Sequence, residues 1–206
     1  MGKIVYYLKV LVFLLFVSCA TSTSGNPSVN RIDSGTQTDL SGYWNDTDVR
    51  TICKALINDC LTSPRVNQVI NTMGGKTPTV LVGTFRNESS EHIDTSIISS
   101  IMEATIFNSG KMDFVAGGNT RNELRTERHD QQSNASEETV SSLANEIGAD
   151  FMLFGTVRTI VDRAGNETIR TYFITAEMTN IETNTRMWMG QNNDIKKKIV
   201  RPKNKL

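Results

Sequence analysis

Eight apolar residues in succession, Val10 to Val17, lie between a start charged only at Lys3 and Lys9 and the pair Ser18-Cys19. A run this short spans too little bilayer for a stable transmembrane helix and suits the core of a secretory signal peptide. Residues 1–18 are therefore expected to be a removable leader, and the fold must be built from the residues beyond it. The next stretch supplies no core. From Ala20 to Thr38 it is mostly Ser, Thr, Gly and Asn with almost nothing to bury, so residues 19–39 read as a flexible linker. About twenty such residues reach ~70 Å when stretched, and average nearer ~25 Å as a coil.

The remaining ~165 residues suffice to bury a real core without staples. With 38% hydrophobic residues in a chain of 206, one globular domain over residues 40–192 is expected. Basic and acidic residues number 22 each, so no global field draws the chain to nucleic acid or to acidic substrates. The balance conceals an uneven distribution. Lys196, Lys197, Lys198, Arg201, Lys203 and Lys205 close the chain without an acidic residue among or after them. Residues 193–206 read as a basic tail, solvated and frayed. The alternative is an electrostatic foot on anionic lipid or on an acidic partner.

Periodicity orders the domain. Val49, Ile52, Cys53, Leu56, Ile57, Cys60 and Leu61 recur at helical spacing, capped by Asn45 or Asp46 and ended before Pro64. Ser63-Pro64 opens a shorter helix that Gly74-Gly75 closes. Thr79 to Phe85 is a buried strand by its β-branched content, and Arg86 to Glu91 is a polar loop. Asp94 caps a helix carrying Ile97, Ile98, Ile101, Met102 and Ile106, which Gly110 stops. Met112 to Ala116 is a second strand. Residues 117–135 are polar, with Leu124 their one large apolar residue, and form at most an exposed helix. Another helix starts at Ser136, with Val140, Leu143, Ala144 and Ile147 inward and Gly148 at its end. A third strand begins at Phe151. A turn over Arg163–Asn166 leads to a fourth, Ile169–Thr179, and Arg186–Met189 makes a fifth. The expected class is α+β, a mixed sheet of four to five strands flanked by helices.

Phe16-Val17-Ser18-Cys19 resembles a lipobox, with an apolar residue three before the Cys and a small one immediately before it. The pattern has a chemical reason. The thiol receives diacylglycerol, and the peptidase then needs a small side chain before its cut. Cys19 is thus the expected lipid attachment residue, and each buried acyl methylene contributes ~0.8 kcal/mol to membrane binding. The alternative is a buried Cys at the end of an uncleaved anchor.

Three segments carry a family resemblance: Val80-Leu-Val-Gly-Thr-Phe-Arg-Asn-Glu-Ser-Ser-Glu-His-Ile-Asp94, Ile147-Gly-Ala-Asp-Phe-Met-Leu-Phe-Gly-Thr156 and Met178-Thr-Asn-Ile-Glu-Thr-Asn-Thr-Arg-Met-Trp188. In this order they resemble the LpoB family of penicillin-binding-protein activators, over most of residues 40–192. The middle element is shared more widely, by TolB-type amino-terminal domains and by CsgG and FlgO lipoproteins. Relatives usually have Gly where this chain has Asn184, and Asn best tolerates the left-handed turn that Gly supplies. The resemblance implies a TolB amino-terminal-like fold. It also implies an outer-membrane lipoprotein, facing the periplasm, that docks on a class A penicillin-binding protein and stimulates glycan polymerisation and crosslinking. In the family the linker is often longer and Pro-rich; here it is short.

No residue set announces a reaction, so no catalytic residue, cofactor, metal or small-molecule substrate is expected, and the chain reads as a non-enzyme. His92 reads as loop packing and His129 as solvated. Glu88, Glu91 and Asp94 could supply a carboxylate pair for glycoside cleavage. Acids before a helix more often complement its amino-terminal dipole. Cys53 and Cys60 sit ~10 Å apart by helical rise, beyond the ~7 Å limit for disulfide α-carbons, and read as buried free thiols. Gly117-Gly118 lacks the phosphate-loop spacing. Loops 86–93, 117–135 and 162–167 are the candidate contact surfaces. The rival reading is a structural subunit of a CsgG-like or flagellar surface assembly, although a pore would need long alternating strand pairs for which the chain has no spare length.

Overall fold

In the computed structural model, residues 29–134 and 148–202 are described. The leader, Cys19 and the helix expected from Ser136 to Ile147 lie outside the described residues. The chain divides into two compact units, Met1–Thr36 and Gln37–Leu206. Of the first, the described part contains a turn in which Asp33 O accepts from Thr36 N at 3.1 Å.

In the second unit, local sequence sets each element. Helix α1 (Asp46–Thr62) starts at Asn45, whose side chain accepts from Asp48 N while the Asp48 carboxylate accepts from Asn45 N, a reciprocal capping box. Its apolar stripe buries Val49, Ile52, Cys53, Leu56, Ile57 and Cys60. Pro64 then sits at the first turn of α2 (Pro64–Thr72), where its missing N–H costs nothing. Strand β1 (Thr79–Asn87) leads to α3 (Thr95–Asn108), capped by Asp94, which buries Ile98, Met102 and Ile106. Each of these buried side chains contributes ~1.5–3 kcal/mol. Strand β2 covers only Asp113–Phe114, shorter than the expected Met112–Ala116, and a Cβ on the nearby Gly117 would collide with Leu81. The polar stretch after it is a helix, α4 (Gly118–Asn134), with no buried residue.

Strands β3 (Phe151–Ala164) and β4 (Glu167–Asn180) form one long antiparallel hairpin closed at Gly165-Asn166, with Gly165 at φ 58°. Strand β5 (Arg186–Asn192) returns beside β4 after a turn at Asn184, whose φ of 55° makes it the one described non-Gly residue in the left-handed region. A sixth strand, β6 (Lys196–Val200), corrects the expected basic tail: it pairs antiparallel with β4, Lys197 opposite Arg170 and Ile199 opposite Thr168. Ordered structure therefore continues past residue 192, and the sheet has six strands rather than four or five, in the order β2-β1-β3-β4-β5 with β6 also on β4. β1 is parallel to β2 and β3; the remaining pairs are antiparallel.

Helices α1 to α3 and the inward residues of the strands share one core, including Val80, Phe85, Leu153, Val157, Ile174 and Met178. The Gly-Ala-Asp element joins the starts of β1 and β3. Asp150 Oδ2 accepts from Thr79 N at 2.9 Å and from Thr79 Oγ1 at 2.8 Å, and Lys76 Nζ lies 3.1 Å from Oδ1. Partial burial alone would raise the Asp150 pKa, but the bonds from Thr79 and Lys76 outweigh it and hold the carboxyl below its usual value. Gly155 lies where a Cβ would strike Thr175 O and the Phe85 ring, so the Gly-Thr element permits close contact between β4 and the core.

Candidate docking surface

On its β3 side the hairpin outruns its neighbour, whereas β6 accompanies β4 as far as Glu167. β1 pairs with β3 only as far as Asn87 and Val157. From Val157 to the strand end at Ala164, the projection is ~23 Å at ~3.3 Å per residue. Loop 86–93 therefore lies at the base of the projection and turn 162–167 at its tip, at the same end of the sheet. The third expected contact loop, 117–135, is helix α4; it follows β2, which runs parallel to β1, and its first residues Gly117, Gly118 and Thr120 line one groove with His92 of loop 86–93.

The base is a buried polar cluster. Arg170 Nε lies 2.8 Å from Glu91 Oε1, with the two side chains only 6% and 7% exposed; the N–H is not directed along that line, so this is an ion pair rather than an aligned hydrogen bond. Tyr172 Oη donates to Glu91 Oε1 and Oε2 at 2.9 and 3.0 Å, and Trp44 N donates to Oε2 at 3.2 Å. Arg170 also donates to Gly42 O at 2.8 Å and lies 4.4 Å above the Tyr43 ring. Burial first, then the Glu91 carboxylate, raises the Tyr172 phenol above its ordinary range. Beside this cluster Lys197 Nζ is held by Asp48 Oδ2 at 2.7 Å, Tyr43 O at 2.8 Å and Asp39 Oδ1 at 3.0 Å. One of the tail lysines is thus a partly buried clamp.

The acids weighed for glycoside chemistry are separated by these roles. Glu91 is buried in the cluster. Glu88 pairs with Arg158 at 2.7 Å on the outer side of the hairpin base. Asp94 is the helix cap, its pKa lowered by Ser96 Oγ and N and, to a lesser degree, by the charge of His92. His92 is exposed rather than packed in the loop, and lines an open groove of about 1070 Å³ with Asp94, Thr95, Ser99 and Glu103. His129 is exposed on α4. Cys53 and Cys60 are buried free thiols, both pushed up to about 12 by burial. Among the described residues no group of three or more His, Cys, Asp and Glu is placed to hold a metal ion, and no helix is long and apolar enough to cross a membrane.

Sequence reasoning missed the Glu91–Arg170–Tyr172 cluster. The one local signal was an Arg at an inward position of β4, between the predicted turn and the apolar run.

Fold and surface together define an α+β domain whose helices cover a mixed sheet and whose long central hairpin projects from the core. The chain belongs to the LpoB family: residues 48–193 match the family described as the peptidoglycan-synthase activator LpoB. Among solved structures, the LpoB C-terminal domain from Escherichia coli aligns at 13% identity over 60% of this chain and 90% of its own, with a TM-score of 0.35. The corresponding domain from Salmonella enterica aligns at 13% identity over 64% and 93%, with a TM-score of 0.34. Lipoprotein GNA1162 from Neisseria meningitidis aligns at 16% identity over 60% and 83%, also with a TM-score of 0.34. No curated protein matches the sequence.

Proposed function

We propose that the mature chain is an outer-membrane lipoprotein, acylated at Cys19 and facing the periplasm, whose domain binds a class A penicillin-binding protein and activates it by contact. The match of residues 48–193 to the synthase-activator family carries this reading. Residues 19–36 act as the tether, since the folded unit begins at Gln37. The domain needs no cofactor, metal or small substrate for such a role, because activation requires only tighter binding to the partner's active arrangement than to its resting one. Moving a partner from 1:99 to 99:1 takes a preference of about 10⁴-fold. The engagement of Glu88, Glu91 and Asp94 in ion pairs and a helix cap supports action by docking over action by turnover.

The test uses the full-length, detergent-solubilised chain. A class A synthase should co-purify with it from solubilised envelopes and polymerise glycan faster in its presence. Failure to bind any class A synthase, or binding without a change in rate, defeats the reading. Palmitate labelling should be lost on Cys19→Ala. The rival, a structural lipoprotein of a CsgG-like or flagellar surface assembly, requires ring-shaped oligomers by electron microscopy and no synthase in the pull-down.

A further inference from the structure

The projecting part of β3, Arg158–Ala164, has β4 on one side and no strand among the described residues on the other. Glu88 N donates to Val157 O at 2.8 Å, which fixes the direction of every residue beyond it. Alternate residues turn their N–H and C=O to opposite sides of a strand. Arg158, Ile160 and Asp162 therefore face β4, and Thr159, Val161 and Arg163 present theirs to the open edge. Such an edge is a ready template for another strand. The side chains of Arg158, Ile160 and Asp162 share one face of the sheet. Ile160 is 60% exposed, and Asp162 has no ion-pair partner among the described residues.

This edge is self-complementary. We propose that it pairs antiparallel with the same edge of a second copy of this chain, with Ile160 on the two-fold axis. In that register Thr159 lies opposite Val161 of the second copy, both with outward main-chain groups, so they exchange both hydrogen bonds. The pairs between them are the closer, non-hydrogen-bonded kind: Ile160 meets Ile160, and Arg158 meets Asp162 on either side of the axis. The neighbouring in-phase registers set Ile160 against Asp162 or against Arg158, so charge and apolar contact select the same alignment. The ladder spans Arg158–Asp162, because Glu88 closes the slot beyond Arg158 and the tip from Arg163 onward must splay away. A two-fold contact of this kind closes on itself and ends at a dimer. A ladder this short is weak in dilute solution, and confinement to a surface strengthens it by raising the effective concentration. The synthase reading is not needed for it.

The test is cysteine cross-linking of the full chain in its native envelope. In Ile160→Cys the two thiols face each other across the axis at an α-carbon separation of ~4.5 Å, inside the ~4.4–6.8 Å that a disulfide accepts. Mild oxidation should give a dimer about tenfold faster than in Thr159→Cys, whose partner position is Val161. The parent chain, with Cys53 and Cys60 buried, sets the background. Adding Arg158→Asp or Asp162→Arg to Ile160→Cys should slow cross-linking about tenfold, and adding both together should restore it. Cross-linking no faster at residue 160 than at 159, or a double reversal no better than the single ones, overturns the proposal.

Discussion

Glu91→Ala tests whether the cluster at the hairpin base holds the domain together. The carboxylate accepts from Tyr172 Oη and Trp44 N and faces Arg170, and both charged side chains are less than a tenth exposed. Its loss leaves the guanidinium buried with only Gly42 O and the Tyr43 ring as company. Breaking a buried pair from one side costs ~3–5 kcal/mol, a large share of the ~5–15 kcal/mol that a domain possesses. Glu88→Ala is the matched control, since it removes the same group from the same loop. Its pair with Arg158 is 35% and 58% exposed, and such a pair contributes ~0–1 kcal/mol. Urea unfolding followed by tryptophan fluorescence reads both variants. Of the two tryptophans, Trp44 touches Glu91, whereas Trp188 donates to Asp59 of α1. Glu91→Ala should shift both signals far more than Glu88→Ala does. Equal losses of stability for the two variants would refute the reasoning.

Asp39 is held down to about 2, from an ordinary 3.8, by hydrogen bonds from Lys197 first and then Asn45 and Gln37. A lowered folded pKa gives stability that is present above the unfolded value and lost as pH falls through the folded one. The melting temperatures of the parent and Asp39→Asn should therefore converge between pH ~4 and pH ~2, and a gap unchanged across that window contradicts the assignment. Cys53 and Cys60, with pKa values pushed up to about 12, should resist a thiol reagent at pH ~8 in the native protein and react in urea; native labelling of either contradicts their burial. Gly155→Ala should cost ~1–3 kcal/mol in chemical denaturation because its methyl would strike Thr175 O and Phe85. Asn184→Gly should leave the stability unchanged or raise it, whereas Asn184→Ala should lower it by ~1 kcal/mol, since position 184 has φ 55°.

Whatever was written in local periodicity could be read from the sequence. The stripe from Val49 to Cys60, the β-branched run of β1 and the Asn at the left-handed turn each specify their own geometry within a few residues. β6 escaped because three successive lysines hide a period of two. Lys197 turns inward to Asp48 and Asp39, while Lys198 on the other face pairs with Glu167. The β-branched pair Ile199-Val200 was the available hint. Glu91 read as a loop acid near a helix start because its partners, Arg170 and Tyr172, lie far along the chain, and pattern within a window carries nothing about contacts so distant. The extent of the hairpin was half visible. The turn residues were found, but Val161 to Ala164 and Glu167 to Thr168 are too polar to announce strand, and they are strand because each pairs across the turn.

The inward column of β4 shows why the polar cluster exists at all. Met178, Ala176 and Ile174 are fully buried and apolar, in the same core as α1 and α3. The next inward residues toward the tip are Tyr172 and Arg170, equally buried but polar. At this level the chain from Asp39 to Trp44 crosses the sheet as an irregular strap. Helices satisfy their own main-chain groups, and a strap does not. Tyr43 O, Gly42 O and Trp44 N each need a partner, and the sheet and loop supply Lys197, Arg170 and Glu91. Long charged side chains suit that task, since their stems pack as apolar surface while their heads reach main-chain oxygens. A glycine at residue 42 lets the strap lie directly on Ile199 of β6. The polar residues on this half of the hairpin are therefore the consequence of covering it with extended chain instead of helix, and they fasten the linker end of the domain to the base of the projecting strands.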